Sequence, residues 1–114
     1  MADERPFTLD DLAAILADRA RSGGSGSYTA RLLNAGVRTC AQKFGEEAVE
    51  AVLAAVGEDD AALTAEAADV LYHLLVMLQS RDIALSSVME ELDRRTGQSG
   101  LAEKAARNRA DGEK

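Results

Sequence analysis

The sequence predicts an all-α, four-helix-bundle-like protein that works as an oligomer, and three observations carry that expectation. No stretch alternates apolar and polar residues as a half-buried strand would. Apolar residues instead recur at helical spacing, most plainly as Leu63, Val70, Leu71, Leu74, Leu75, Met77 and Leu78, and the connections between helical segments are short. Finally, the two central helices are apolar nearly all round, so each needs more cover than three partners in one small chain supply. A homodimer or higher homo-oligomer is the expected consequence.

Each element has its own local cause. Thr8 is placed to cap a first helix, Leu9 to about Arg21, with Asp11 three residues on and Phe7 and Leu12 positioned to staple its entry. Ser22-Gly-Gly-Ser-Gly-Ser27 follows, a polar run with no preferred backbone well, which is either a loop that orders over a substrate or a plain linker. Tyr28 to Asn34 forms a short helix, with Gly36 where a left-handed cap would fall. Val37 to Val56 is a long helix stopped by Gly57, and Glu58-Asp59-Asp60 offers the N-cap of the next, Ala61 to about Arg81. Ser87 and Glu90 form a capping-box pattern for a last helix reaching Thr96. The domain is expected to span residues 1–97. Residues 98–114, rich in Gly, Ala and charge with only Leu101 to bury, read as a weakly held tail.

Composition removes whole classes of function. With 114 residues the chain has room for one domain of ordinary size, and 46% hydrophobic residues give it a core, which aliphatic side chains must fill because aromatics are 4%. Its 13 basic against 20 acidic residues leave a net charge of −7, which repels nucleic acid and supplies no basic patch to hold a phosphate backbone. A lone Cys40 excludes a disulfide framework and fits a reducing compartment, the cytoplasm by default. Asp3, Glu4 and Arg5, with no apolar run behind them, do not read as a signal peptide. Leu63 to Leu78 has nearly the length of a membrane span but contains Glu66, Asp69 and His73, each costly in hydrocarbon, so it reads as a soluble helix.

Those ionisable residues need an explanation of their own. At about 100° per residue, Lys43, Glu47, Glu50 and Ala54 share one stripe of the long helix, with Glu46 at its border. Ala62, Glu66, Asp69, Val70, His73 and Met77 share one stripe of the next. A hairpin of the two helices would bring two pairs of carboxylates face to face. Glu46, Glu47 and Glu50 alone would pass for a solvated face. Glu66 and Asp69, however, interrupt the most apolar segment of the chain with no Lys or Arg within a turn, and Asp69 lies too deep in its helix to serve the dipole. Four such carboxylates repel one another unless a cation neutralises them. All-oxygen ligation points to Mg²⁺, with Mn²⁺ as a substitute and Ca²⁺ less suited to rigid helices, and magnesium in turn suggests phosphate chemistry.

The E-x-x-E and E-x-x-D elements resemble the metal motif of the all-α nucleoside triphosphate pyrophosphohydrolases, the MazG-like superfamily. Within it, Ser27-Tyr-Thr29, Gln42-Lys-Phe-Gly-Glu-Glu-Ala-Val-Glu50 and Glu66-Ala-Ala-Asp-Val-Leu-Tyr-His-Leu-Leu75 resemble the phosphoribosyl-ATP pyrophosphohydrolase family. The similarity covers roughly Leu9 to Arg95. Phe44 stands where that family more often has Val, and Cys40 where it has an aliphatic residue, differences that touch packing more than chemistry. No cyclohydrolase domain accompanies these motifs. The resemblance implies Mg²⁺-dependent hydrolysis of phosphoribosyl-ATP to phosphoribosyl-AMP and pyrophosphate, the second step of histidine biosynthesis. It implies Glu47, Glu50, Glu66 and Asp69 as metal ligands, and Glu46 as either an orienting residue or a water-activating base.

Charge accumulates on the departing pyrophosphate, so Lys or Arg placed there would contribute to catalysis. Lys43 is the first choice for a phosphate contact, the alternative being an i, i+4 partner for Glu47. Arg19, Arg94 and Arg95 are further candidates, although Arg94 and Arg95 equally suit the C-terminus of their helix. Tyr28 and Thr29 are expected to contact substrate; the plainer reading is a helix start with a packed ring. His73 fits a core histidine hydrogen-bonded to a neighbour better than a proton carrier. Three competitors remain: a di-iron carboxylate protein would need Glu-x-x-His pairs that this chain lacks, and a helical interaction module would need no buried carboxylates. A relative acting on dUTP or another non-standard nucleotide would share the metal motif but gives no reason for the other two strings.

Overall fold

Thr8 opens the first helix as its spacing suggests. Its hydroxyl accepts from the Asp11 amide at 3.1 Å and its own amide donates to Asp11 Oδ2 at 2.9 Å, a capping box closed by Asp in place of Glu. Arg5 donates both guanidinium ends to the same carboxylate at 2.7 Å, holding it well below the usual carboxylate range. The staple expected from Phe7 does not bury its ring, which remains 67% exposed. A computed structural model describes residues 4–22, 27–57, 59–97 and 107. The described elements are α1 (Leu9–Ser22), α2 (Tyr28–Ala35), α3 (Val37–Val56), α4 (Asp60–Ser80) and α5 (Leu85–Thr96), with no strand among the described residues. The fold is all-α, as the periodicity predicts. Most of the Gly/Ser run, at 23–26, and almost all of the segment from residue 98 onward lie outside the described residues.

The chain divides after Ile83 into two units. In the first, α3 and α4 form the dominant hairpin, and α2 packs on both, with α1 against α2 and α4. The turn between α2 and α3 rests on Gly36, whose φ of +102° lies outside the left-handed α well expected of a cap, in a region essentially reserved for glycine. The hairpin turn is closed by Asp59, whose side chain accepts from the Ala62 amide at 3.1 Å and so caps α4. Leu16, Leu32, Cys40, Leu75 and Val76 form the buried core, small and aliphatic as the composition requires. The Cys40 thiol donates to the Leu32 carbonyl at 3.2 Å, and burial pushes its pKa up, as befits an inert core residue.

By length and composition α4 could cross a membrane, but Glu66, Asp69 and His73 interrupt its apolar run at a high cost in hydrocarbon, and His73, Leu75 and Val76 are buried within the protein. The second unit contains α5. Its start differs from the expected capping box at Ser87 and Glu90: the helix begins at Leu85, with Ala84 as N-cap and no side-chain cap bond. The Ala84 carbonyl takes the Ser87 amide at 3.0 Å, so Ser87 is already inside the first turn.

Candidate functional site

The i, i+3 carboxylate pairs converge because α3 and α4 are antiparallel neighbours whose acidic stripes face each other. Ligand oxygens of Glu47, Glu66 and Asp69 lie within 4.8 Å of one another. Glu50 adjoins them closely enough to act on both Glu47 and Glu66. Desolvation is the largest influence raising the pKa of Glu66, followed by the hydrogen bond and charge of Glu50 and the charges of Glu47 and Asp69. Glu47 is likewise pushed up, first by desolvation, then by Glu50 and Asp69, with His73 pulling weakly the other way. Among the described residues no Lys or Arg forms an ion pair with any of the four.

Glu66 Oε2 is buried and, among the described residues, has no hydrogen-bond partner. A buried carboxylate oxygen left in that state is costly, and the side chains clustered around it are themselves acidic. The donor set is all oxygen and strongly anionic, which fits a hard divalent cation and not a soft metal.

Glu46 and Lys43 precede Glu47 on α3, half-exposed and engaged with each other. Lys43 Nζ is 3.5 Å from Glu46 Oε1, an i, i+3 pair in place of the i, i+4 pair with Glu47. Gln42 donates to Glu46 Oε2 at 3.1 Å, and this bond, followed by the Lys43 charge, lowers the Glu46 pKa.

The two other strings of the sequence meet across the α2–α4 contact. Ser27 caps α2 by accepting from the Ala30 amide at 3.1 Å. The Thr29 hydroxyl is 2.5 Å from the Tyr72 hydroxyl, and Thr29 is 1% exposed. The Tyr28 hydroxyl lies 3.4 Å from His73 Nε2, while His73 Nδ1 lies 2.9 Å from the Asp69 carbonyl oxygen. A carbonyl only accepts, so Nδ1 donates to it, and Nε2 faces the Tyr28 hydroxyl. His73 is 6% exposed, a core residue with both ring nitrogens engaged. Thr29 is therefore enclosed with its hydroxyl committed to Tyr72, whereas Tyr28 keeps 43% of its surface.

Of the remaining cations, Arg19 is exposed on α1. Arg94 and Arg95 lie on α5 in the second unit, where both bind Glu91. Two residues here have no role assigned from the sequence: Tyr72, within the Glu66–Leu75 string, and Arg31. Tyr72 stacks on Tyr28 with ring centroids 6.3 Å apart, and the Arg31 guanidinium lies 5.9 Å from the Tyr28 ring centroid. The i, i+3 spacing of Tyr28 and Arg31 on one short helix was the available signal for the second.

Residues 9–96 match the family described as phosphoribosyl-ATP pyrophosphohydrolase. The phosphoribosyl-ATP pyrophosphatase of Allorhizobium ampelinum is 58% identical over 101 residues, covering 89% of this chain and 97% of that protein. Its counterpart from Agrobacterium fabrum is 58% identical, with 89% and 94% covered. That of Methylobacterium radiotolerans is 57% identical over 104 residues, with 91% and 97% covered.

Proposed function

This chain belongs to the phosphoribosyl-ATP pyrophosphohydrolase family, and from that premise we propose that it hydrolyses phosphoribosyl-ATP to phosphoribosyl-AMP and pyrophosphate in histidine biosynthesis. The observation that carries the chemistry is the uncompensated cluster of Glu47, Glu66 and Asp69 with Glu50 beside it. These four residues would hold Mg²⁺, or Mn²⁺ in its place. A cation there supplies positive charge to phosphate oxygens and lowers the pKa of bound water.

The chain's own groups do the rest. Glu46, whose carboxylate is favoured by Gln42 and Lys43, would orient the attacking water or take its proton. Lys43 offers its ammonium to the phosphate chain, where negative charge builds on the departing pyrophosphate. Water adds across the α–β phosphoanhydride, its oxygen going to one phosphorus and its protons to the products and solvent. His73 donates from Nδ1 to the Asp69 carbonyl one turn earlier on α4, and the Thr29–Tyr72 bond ties α2 to that same helix.

Val49, Val52, Leu53 and Val56 are each 59–73% exposed on α3, an apolar run at i, i+3, i+4 and i+7 that a second copy of the chain would cover. Sedimentation at micromolar concentration is expected to show a homodimer or larger species; a clean monomer removes this part of the account. The enzyme acts in the cytoplasm, on a free nucleotide, with neither nucleic acid nor membrane as partner.

The test is pyrophosphate release by the purified chain with Mg²⁺ and phosphoribosyl-ATP, with dUTP and dCTP alongside. Release from phosphoribosyl-ATP alone is expected. Release only from another nucleotide would make this a house-cleaning pyrophosphohydrolase with the same metal site, and release from none would overturn the enzyme reading.

A further inference from the structure

We propose that Arg31 is a specificity-determining residue that binds the monophosphate of the substrate's phosphoribosyl group, with the Tyr28 ring as its platform. The proposal rests on the hydrolase reading above and deepens it. Phosphoribosyl-ATP carries two separate anionic groups: the triphosphate chain that is cut, and a monophosphate on the second ribose. A site that answers the first with a cation-loaded carboxylate cluster needs a second positive group, set apart from the cluster, to recognise the other.

Arg31 meets that requirement by a chain of contacts that starts at the cluster. Asp69 contributes a carboxylate to it and, through its carbonyl oxygen, holds His73 Nδ1 at 2.9 Å. The other nitrogen of His73 faces the Tyr28 hydroxyl at 3.4 Å. Tyr28 is further fixed by Tyr72, stacked at 6.3 Å with the ring planes 17° apart. The Arg31 guanidinium then lies 5.9 Å from the Tyr28 ring centroid. Two rings, His73 and Tyr28, therefore link its guanidinium to the Asp69 turn of α4, with Tyr72 bracing the second of them.

Arg31 is exposed and forms no ion pair among the described residues, whereas Arg5, Arg21 and Lys43 are engaged with Asp11, Asp18 and Glu46. A guanidinium resting on an aromatic ring keeps its N–H groups at the rim, free for two parallel bonds to a phosphate, and has already given up part of its side-chain freedom. No other described cation is tied to the cluster in this way.

The experiment measures pyrophosphate release by the full chain with Mg²⁺ for wild type, Arg31→Ala and Arg31→Lys, together with inhibition by phosphoribosyl-AMP and by ATP, which lacks the second phosphate. Arg31→Ala should raise KM for phosphoribosyl-ATP about tenfold with kcat little changed. It should weaken inhibition by phosphoribosyl-AMP in the same proportion and leave inhibition by ATP where it was, and Arg31→Lys should recover part of the loss. Equal weakening toward ATP, a fall in kcat at constant KM, or no change in any constant would each overturn the assignment. If circular dichroism shows that Arg31→Ala does not fold, Arg31→Gln is read by the same criteria. A wild-type chain inactive on phosphoribosyl-ATP would overturn the hydrolase reading itself, whereas an active wild type matched by an unaltered Arg31→Ala would overturn only the role of Arg31.

Discussion

Glu91 on α5 and Glu66 on α4 are both carboxylates in the middle of a helix, and their surroundings push them in opposite directions. Glu91 accepts from Arg94 and from Arg95 at 3.0 Å, hydrogen bonds one turn away that hold its pKa down at about 2. Among the described residues Glu66 has no ion-pair partner and one of its oxygens is buried without a hydrogen bond; desolvation and three acidic side chains raise its pKa. In the first case the helix compensates its own charge within a single turn. In the second the compensation is left to something from outside the chain. A stretch of sequence that withholds Lys and Arg from a carboxylate pair in an apolar helix is therefore informative, and one that supplies them describes a solvated face.

Four measurements break or sharpen this contrast. The largest effect is expected from removing ligand charge: Glu50→Gln or Asp69→Asn should lower pyrophosphate release by roughly 100-fold or more while leaving helical circular dichroism intact. Unchanged activity in either variant removes that residue from the site. Next, Mg²⁺ should raise the melting temperature by several degrees, because a ligand at 100 times its dissociation constant stabilises the folded state by about 3 kcal/mol. Absence of any shift at millimolar Mg²⁺ would count against the cluster as a cation site.

A smaller effect of opposite sign is expected without metal. The folded-state pKa of Glu66 lies above its unfolded value, so the folded protein holds an extra proton between the two, and stability declines as pH rises through that interval. Glu66→Gln removes this decline. In chelator it should melt higher than wild type at neutral pH and equally at strongly acidic pH; a lower melting temperature at neutral pH would show that Glu66 is already compensated. Smallest is Glu91→Gln. The depressed pKa of Glu91 contributes stability above the ordinary carboxylate range, lost as pH falls toward about 2. Because the pair is exposed to solvent, the melting temperature at neutral pH should fall only slightly. A drop as large as the Mg²⁺ effect would erase the distinction between the two regions.

What the sequence made legible follows the range of the interactions. The Thr8–Asp11 box and the Asp59 cap depend on residues three apart and were readable as such. The convergence of Glu47, Glu66 and Asp69 needed only helical periodicity and the assumption of a hairpin. Ser87 was misread because a helix start depends on where the preceding backbone turns. Here Asp82, at φ +56°, and the Ile83 amide bonded to the Leu78 carbonyl close α4 early enough for Ala84 to become the cap. Lys43 had two acidic neighbours within a turn, and rotamer geometry chose Glu46. The Thr29–Tyr72 and Tyr28–His73 contacts join residues more than 40 positions apart, and nothing in either string announces its partner.

The most direct test of the central claim is the rate of pyrophosphate release from phosphoribosyl-ATP as Mg²⁺ is titrated into chelator-treated protein. A rate that rises from baseline to a plateau, and does so neither in Asp69→Asn nor in Glu50→Gln, is what the uncompensated carboxylates predict. A rate undiminished in excess chelator would contradict the account.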